Sequence, residues 1–246
     1  RLYFAAQRIF RSDDRGDSWQ AVSEDLSRGE DRNHRKVMGK IYSPEAVWKN
    51  VFTSPYGTIV ALSESPLDSG ILVAGTDDGL LQITEDGGRT WQKVERVPGI
   101  PSKSYVADVF CSQHDKNVIY AVFNNHKEGD FTPYLATSKN LGASWKVITQ
   151  GISAPHACWS LVEDHKAPNL LFAATEYGIF CSINKGNTWT QMKGRLPTIA
   201  FRDLEIHKRE NDLVGASFGR GMYILDDYSL LRELSKASLA EATLFP

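Results

Sequence analysis

Four copies of one eight-residue pattern constrain this chain more than any other feature: SDDRGDSW at 12–19, TEDGGRTW at 84–91, SKNLGASW at 138–145 and SINKGNTW at 182–189. Each reads Ser/Thr-x-Asp/Asn-x-Gly-x-Ser/Thr-Trp. Recurrence at intervals of tens of residues marks stacked units, each burying an apolar face on its neighbour. Every octet lies between two short apolar runs of strand length, so each is expected to be a hairpin connection. The Asp or Asn oxygen of such a turn accepts from backbone N–H groups two residues on, and the Gly takes a positive φ that other residues adopt only at a cost. The Trp is expected to wedge against the neighbouring unit, a burial worth roughly 2–3 kcal/mol.

Asp14 and Asp86 are replaced by Asn140 and Asn184 in the other two copies. An amide keeps the acceptor oxygen and lacks the charge, so the position needs a hydrogen bond and not a carboxylate base. The octet residues Asp14, Gly16, Trp19, Asp86, Gly88, Trp91, Asn140, Gly142, Trp145, Asn184, Gly186 and Trp189 are therefore read as structural.

Extending outward from the octets gives a longer unit of strand A, polar turn, strand B, Gly-containing turn, strand C, octet and strand D. Three complete units start near residues 58, 105 and 158; a fragment at 2–22 holds strands B to D, and one at about 200–226 holds strands A to C without an octet. The expected fold is all-β: a propeller arc of about five blades, three complete and two partial, each complete blade a four-stranded antiparallel sheet. Blades are assigned to 1–228, with 23–57 a long insertion between the first two. Residues 229–246 form a tail in which Leu230, Leu231, Leu234 and Leu239 fall at near-helical spacing. Opening on a strand without Met, the chain reads as a piece of something longer, with the remainder of the parent propeller as its first expected partner.

At 246 residues, with 41% hydrophobic and 11% aromatic content, the chain can fill a large β core. Its net charge of −2 leaves no electrostatic footprint for nucleic acid, and the densest basic run, Arg32 with His34, Arg35 and Lys36, follows Glu30 and Asp31. No apolar run reaches the ~20 residues of a membrane-spanning helix. Cys111, Cys158 and Cys181 sit in strand patterns as packed thiols, and His156-x-Cys158 lacks a second pair at metal-ligand spacing, so neither metal nor cofactor is expected.

The octet and its surroundings resemble the Asp-box, or BNR, repeat of large sortilin-like (VPS10) and "glycosyl hydrolase"-labelled propellers related to xyloglucanases. The stretches carrying the resemblance are 56–59 with 64–66, 75–79, 209–213 and 218–227. It implies the terminal part of a larger exported protein, hence an extracytoplasmic location. The sialidase branch would bring a Phe-Arg-Ile-Pro motif; the nearest string here, Phe201-Arg202-Asp203-Leu204, departs from it, leaving sialidase activity unsupported.

With octets in the C–D turns, the B–C turns and D–A connections emerge at the opposite end of the blades. That end gathers Arg8, Asp77, Asp78, Asn125, His126, Glu176, Tyr177, Phe218 and Arg220, with Trp48 from the long insertion. Polar tips beside aromatic rings suit a glycan or peptide groove. Asp77, Asp78 and Glu176, placed on adjacent blades, are candidates for the two carboxylates that glycoside hydrolysis holds about 5–10 Å apart. Acidic residues are commonplace in Gly-bounded turns, so turn or solvation roles are the preferred reading of all three. Arg220 either bonds carbonyls of the adjacent blade or clamps an anion. The expected function is a non-catalytic binding or scaffold module for a protein, peptide or glycan. The alternative is a polysaccharide-cleaving glycoside hydrolase.

Overall fold

The computed structural model describes residues 1–36, 39–47, 49, 56–194 and 196–234. Blade 1 contains β1 (Leu2–Ala5), β2 (Ile9–Ser12) and β3 (Gln20–Ala21). Blade 2 contains β4 (Ile59–Glu64), β5 (Leu72–Thr76), β6 (Leu81–Thr84) and β7 (Gln92–Val94). Blade 3 contains β8 (Tyr105–Cys111), β9 (Ile119–Asn125), β10 (Asp130–Ser138) and β11 (Lys146–Val147). Blade 4 contains β12 (Cys158–Glu163), β13 (Leu171–Thr175), β14 (Gly178–Ser182) and β15 (Thr190–Gln191), and blade 5 β16 (Phe201–His207), β17 (Asp212–Ser217) and β18 (Met222–Leu225). Each blade is an antiparallel meander, and neighbouring blades pack through strands A. The fold is thus the all-β propeller arc of three four-stranded and two three-stranded blades. One short helix, α1 (Leu230–Leu234), follows β18.

In the three complete blades strands B and C are largely buried between neighbouring blades, which is why β5 and β13 read as unbroken apolar runs instead of alternating. Four apolar clusters fill the gaps between successive blades. Ile9 with Val22 and Ala74 joins blades 1 and 2, Val73 with Val106 and Phe123 joins 2 and 3, Leu135 with Leu161 and Trp189 joins 3 and 4, and Phe172 with Phe201 and Leu204 joins 4 and 5.

The octets share one hydrogen-bond scheme. Oδ1 of Asp14, Asp86, Asn140 and Asn184 accepts from the N–H of Ser18, Thr90, Ser144 and Thr188, 2.9 Å in each case. The acceptor therefore reaches four residues on, not two as turn chemistry alone suggested. Meanwhile the first hydroxyl of each octet accepts from the Gly N–H, at 2.7–3.0 Å. The residue before Gly is also left-handed, at Arg15 (φ 64), Gly87 (74), Leu141 (51) and Lys185 (60). Two successive left-handed residues turn the chain sharply enough for one side chain to span four residues. Where the position is Asp, its second oxygen accepts from Ser18 or Thr90 hydroxyl; where it is Asn, the amide donates to Ser144 or Thr188 instead. The hydroxyl rotates to suit either partner. Hydrogen bonds from the hydroxyl and N–H of Ser18, and of Thr90, hold the carboxyls of Asp14 and Asp86 well below the usual range.

The four Trp residues are not equivalent wedges. Trp189 is 4% exposed, Trp91 and Trp145 are partly buried, and Trp19 is 45% exposed, with no other blade among the described residues packed on its side of blade 1.

The insertion is tied down where it is described. Asp31 caps one 3-10 turn, Arg32–His34, and Glu30 pairs with Lys103 at 2.6 Å. Arg35 stacks on Tyr56, 3.9 Å from its centroid, so the basic run is engaged in internal contacts. After β18 the chain swings to the A–B turn of blade 4. There Tyr228 hydroxyl donates to buried Asp164 at 2.6 Å and Arg232 forks onto both Asp164 oxygens at 2.9 and 2.7 Å. These donors overcome burial and lower the Asp164 carboxyl to about 2. The thiols of Cys111 and Cys158 are pushed up by burial to about 11 and about 12, as packed, unreactive groups.

Candidate functional site

Every strand A carries an irregularity at one place. Pairing with strand B skips Val60 in β4, Ala107 in β8, Trp159 in β12 and Arg202 in β16. Each bulge sits beside the B–C turn, at the end opposite the octets. A bulge re-aims its side chain out of the ladder and is favoured beside functional sites. In blades 4 and 5 the re-aimed residues are Trp159 and Arg202, and the guanidinium lies 3.5 Å from the indole centroid.

The tips of the B–C turns complete the cluster. Glu176 accepts from Trp159 Nε1 at 2.9 Å and sits 3.8 Å from Arg202. His126 also meets Trp159, edge-on at 5.0 Å. Phe218 lies under Arg202 at 5.0 Å while remaining 70% exposed, and Lys127 sits over Tyr105 at 5.1 Å. Together Tyr105, His126, Lys127, Trp159, Arg202 and Phe218 line an open cavity of about 410 Å³. Its walls combine aromatic faces with cations, and Arg202 Nε is buried without a hydrogen-bond partner among the described residues. Such an orphaned donor costs roughly 1–3 kcal/mol until an acceptor is supplied. Burial, then the neighbouring Arg202, lowers the His126 pKa and favours the neutral ring.

Beneath the cluster the residue after each bulge faces the blade interface. Asp108 accepts from Ser160 hydroxyl at 2.9 Å and Leu161 N–H at 3.0 Å, and Ser160 also reaches Asp203 at 3.3 Å. Burial pushes the Asp108 carboxyl up to about 6. It acts as an inter-blade clasp, its Oδ2 taken by two donors of blade 4.

The structure brings together His126, Glu176 and Phe218 of the sequence candidates. Asn125 is nearby but bonded to Asp130 at 3.2 Å, and Tyr177 is directed to His156, ring to ring 5.7 Å. Asp77 and Asp78 are elsewhere. Asp77 accepts from Gly57 and Thr58 N–H at 2.9 and 2.8 Å, with its carboxyl raised by burial; Asp78, fully buried, accepts from Arg28 N–H at 2.8 Å. Both tie the insertion to blade 2. They are on blade 2 and Glu176 on blade 4, so the expectation that the three lie on adjacent blades fails: blade 3 intervenes.

Arg220 is exposed and makes no hydrogen bond to the adjacent blade among the described residues. Arg8 pairs with Glu24 at 3.2 Å beside a larger cavity of about 490 Å³ between blades 1 and 2. That cavity holds one aromatic, Trp91, and its Arg8 is already paired, so the smaller Trp159 cavity is the better candidate. Trp48 lies outside the described residues. Sequence reading missed Tyr105, Lys127, Trp159 and Arg202 as site residues. The available signal was the strand A alignment, in which one column reads Val60, Ala107, Trp159, Arg202, each following a buried residue. Among the described residues no group of His, Cys, Asp and Glu is arranged to hold a metal, and no helix is long and apolar enough to cross a membrane.

No family model and no curated protein matches the sequence. Solved structures match the fold. An ancestral GH74 enzyme superposes over 87% of this chain with a TM-score of 0.61 at 17% identity. The extracellular domain of a putative hybrid two-component system from B. thetaiotaomicron covers 90% at a TM-score of 0.55 and 14% identity, and YCF48 bound to D1 peptide covers 68% at 0.50 and 18%. The chain spans 25%, 24% and 51% of those proteins, respectively. At such identities the likeness establishes the propeller alone.

Proposed function

We propose that this chain is a non-catalytic binding propeller whose ligand, a protein segment, peptide or glycan, docks at the end opposite the octet turns. The observation that carries the reading is the Trp159–Arg202–Glu176 constellation: an indole touched by both His126 and a guanidinium, with Phe218 exposed in the same cavity. Aromatic faces offer stacking surface and the cations offer hydrogen bonds to acceptors, the composition of a groove that holds an extended polar chain. We further read the octets as Asp boxes and the chain as part of a larger exported, sortilin-like or xyloglucanase-like protein, so that its location is extracytoplasmic. The peptide bound by YCF48 makes a peptide ligand a natural first probe.

The test is equilibrium binding of peptide and oligosaccharide panels to the chain and to Trp159→Ala and Arg202→Ala variants, with folding checked by circular dichroism. Ligands that bind the parent should bind either variant at least tenfold more weakly. Panel hits unaffected by both substitutions would remove the reading.

The hydrolase reading draws on the GH74 fold neighbours, one of them a xyloglucanase from Xanthomonas campestris. Against it, Glu176 is engaged by Trp159 and Arg202, while Asp77 and Asp78 are turned to backbone N–H groups. Turnover of xyloglucan by the parent, abolished in a folded Glu176→Gln variant, would favour it.

A further inference from the structure

The octet strands close their blades in one register. The residue after each Trp pairs with the residue just before the octet: Gln20 with Arg11, Gln92 with Ile83, Lys146 with Thr137 and Thr190 with Cys181. The indole then docks on the preceding blade. Trp91 Nε1 donates to Val22 carbonyl at 3.1 Å and Trp189 Nε1 to Ile148 carbonyl at 2.5 Å, each acceptor being the third residue past the previous octet Trp.

Blade 5 has the socket without the strand. Strand C of this blade is β18, where Leu225 stands opposite Leu213 as Thr84 stands opposite Leu72 in blade 2, so Ile224 occupies the pairing position. The third residue past Trp189 is Met192. Its N–H donates to Ile179 carbonyl at 2.8 Å, as Val22 does to Ile9 and Ile148 to Leu135, both at 2.9 Å. Between these elements lies an apolar cavity of about 220 Å³ lined by Ile179, Met192, Leu196, Leu213, Tyr223 and Leu225. Beside it Met222, Ile224 and Leu225 are 74%, 61% and 41% exposed. The chain does not return along this edge in residues 226–234, which are pinned to Asp164 through Tyr228 and Arg232. No Trp follows Trp189 in the sequence.

We propose that the β18 edge is a docking site for an extended, tryptophan-led polypeptide segment from outside these 246 residues. It adds antiparallel to β18, puts its indole in the Met192 cavity with Nε1 on the Met192 carbonyl, and sets the next residue opposite Ile224. Main-chain pairing supplies part of the affinity and the indole pocket the selectivity. Blades 2 and 4 of the same molecule show this occupant in the equivalent place, while in blade 3 Trp145 packs at the blade interface with Nε1 on its own Gly142 carbonyl; the repeated placement identifies the chemistry independently of the opposite-face site.

The probe is a fluorescein-labelled peptide of this chain's own octet strand, residues 182–193, titrated into the full chain by fluorescence anisotropy. Saturable binding is expected, at least tenfold weaker when the peptide carries Trp189→Ala. Register is tested with an Ile224→Cys chain and peptides bearing an activated cysteine disulfide: exchange should favour the cysteine directly after Trp over one two positions later. Neither comparison depends on a destabilised chain. Absence of saturable binding, indifference to the Trp, or exchange without positional preference would overturn the proposal. So would concentration-dependent dimers, seen by sedimentation, that exclude the peptide, since a second copy would then own the edge.

Discussion

At the octet end of the blades, Asp14 and Asp86 make the same Oδ1 bond that Asn140 and Asn184 make, and four unrelated residues fill the position before Gly without changing the turn. At the other end the matching column of bulges reads Val60, Ala107, Trp159 and Arg202, with no two alike. One end repeats because its task, closing the C–D hairpin, is the same in the four blades that carry an octet. At the other end blades 3, 4 and 5 bring different groups to one cavity: Tyr105, His126 and Lys127, then Trp159, then Arg202 and Phe218. The contrast teaches that repetition in this chain reports architecture, and departure from repetition reports chemistry.

The contrast can be broken at several points. The largest effect is expected from Trp189→Ala, which removes an indole with 4% exposure from the blade 3–4 interface and should cost about 3–5 kcal/mol in denaturant unfolding. Trp19→Ala, at 45% exposure, should cost less than about 1 kcal/mol. Equal losses would mean that the four octets are equivalent after all. Next comes Gly88→Ala: φ is +97° and an added Cβ would meet Val22 carbonyl at 2.2 Å, so about 2–3 kcal/mol is expected, with ligand binding at the far end unchanged in the folded protein.

Asp108 supplies a pH test of the layer beneath the site. Its carboxyl is raised from 3.8 to about 6, so the fold prefers the protonated form. That preference stabilises the protein below the unfolded value and is lost as pH rises from about 4 through about 6. Asp108→Asn should therefore flatten the stability profile over this window and leave the variant more stable near neutrality, by about 2 kcal/mol or less after allowance for partial exposure. A profile still sloping between pH 4 and 6 in the variant would assign the titration elsewhere. The smallest effect is expected from Asp86→Asn, which copies the natural Asn octets: a melting shift under about 2 °C in calorimetry.

Much of the architecture was legible because turn chemistry and strand length are local. The octets marked the C–D turns, and the apolar runs between them marked strands B and C of the complete blades, since burial on both faces leaves nothing to alternate. The site was less legible because it rests on a register defect. Trp159 and Arg202 lie in β12 and β16, where a regular ladder would place them on a sheet face; the bulge turns them to the rim, and pairing energetics distributed over the whole sheet decide where it falls. His126, Glu176 and Phe218 were found because they lie in Gly-bounded turns, which sequence does mark. Asp77 and Asp78 carry the same marking yet serve the insertion, whose path past blade 2 no local pattern encodes.

The proposal that ligands dock at the irregular end is tested by one binding screen read on three folded proteins: the parent, Arg202→Ala, and the double variant Asp14→Asn with Asp86→Asn. Peptide or glycan hits of the parent are expected to be lost in Arg202→Ala and kept in the double variant. Hits that persist in Arg202→Ala and vanish in the double variant would contradict it, placing the ligand on the octet turns.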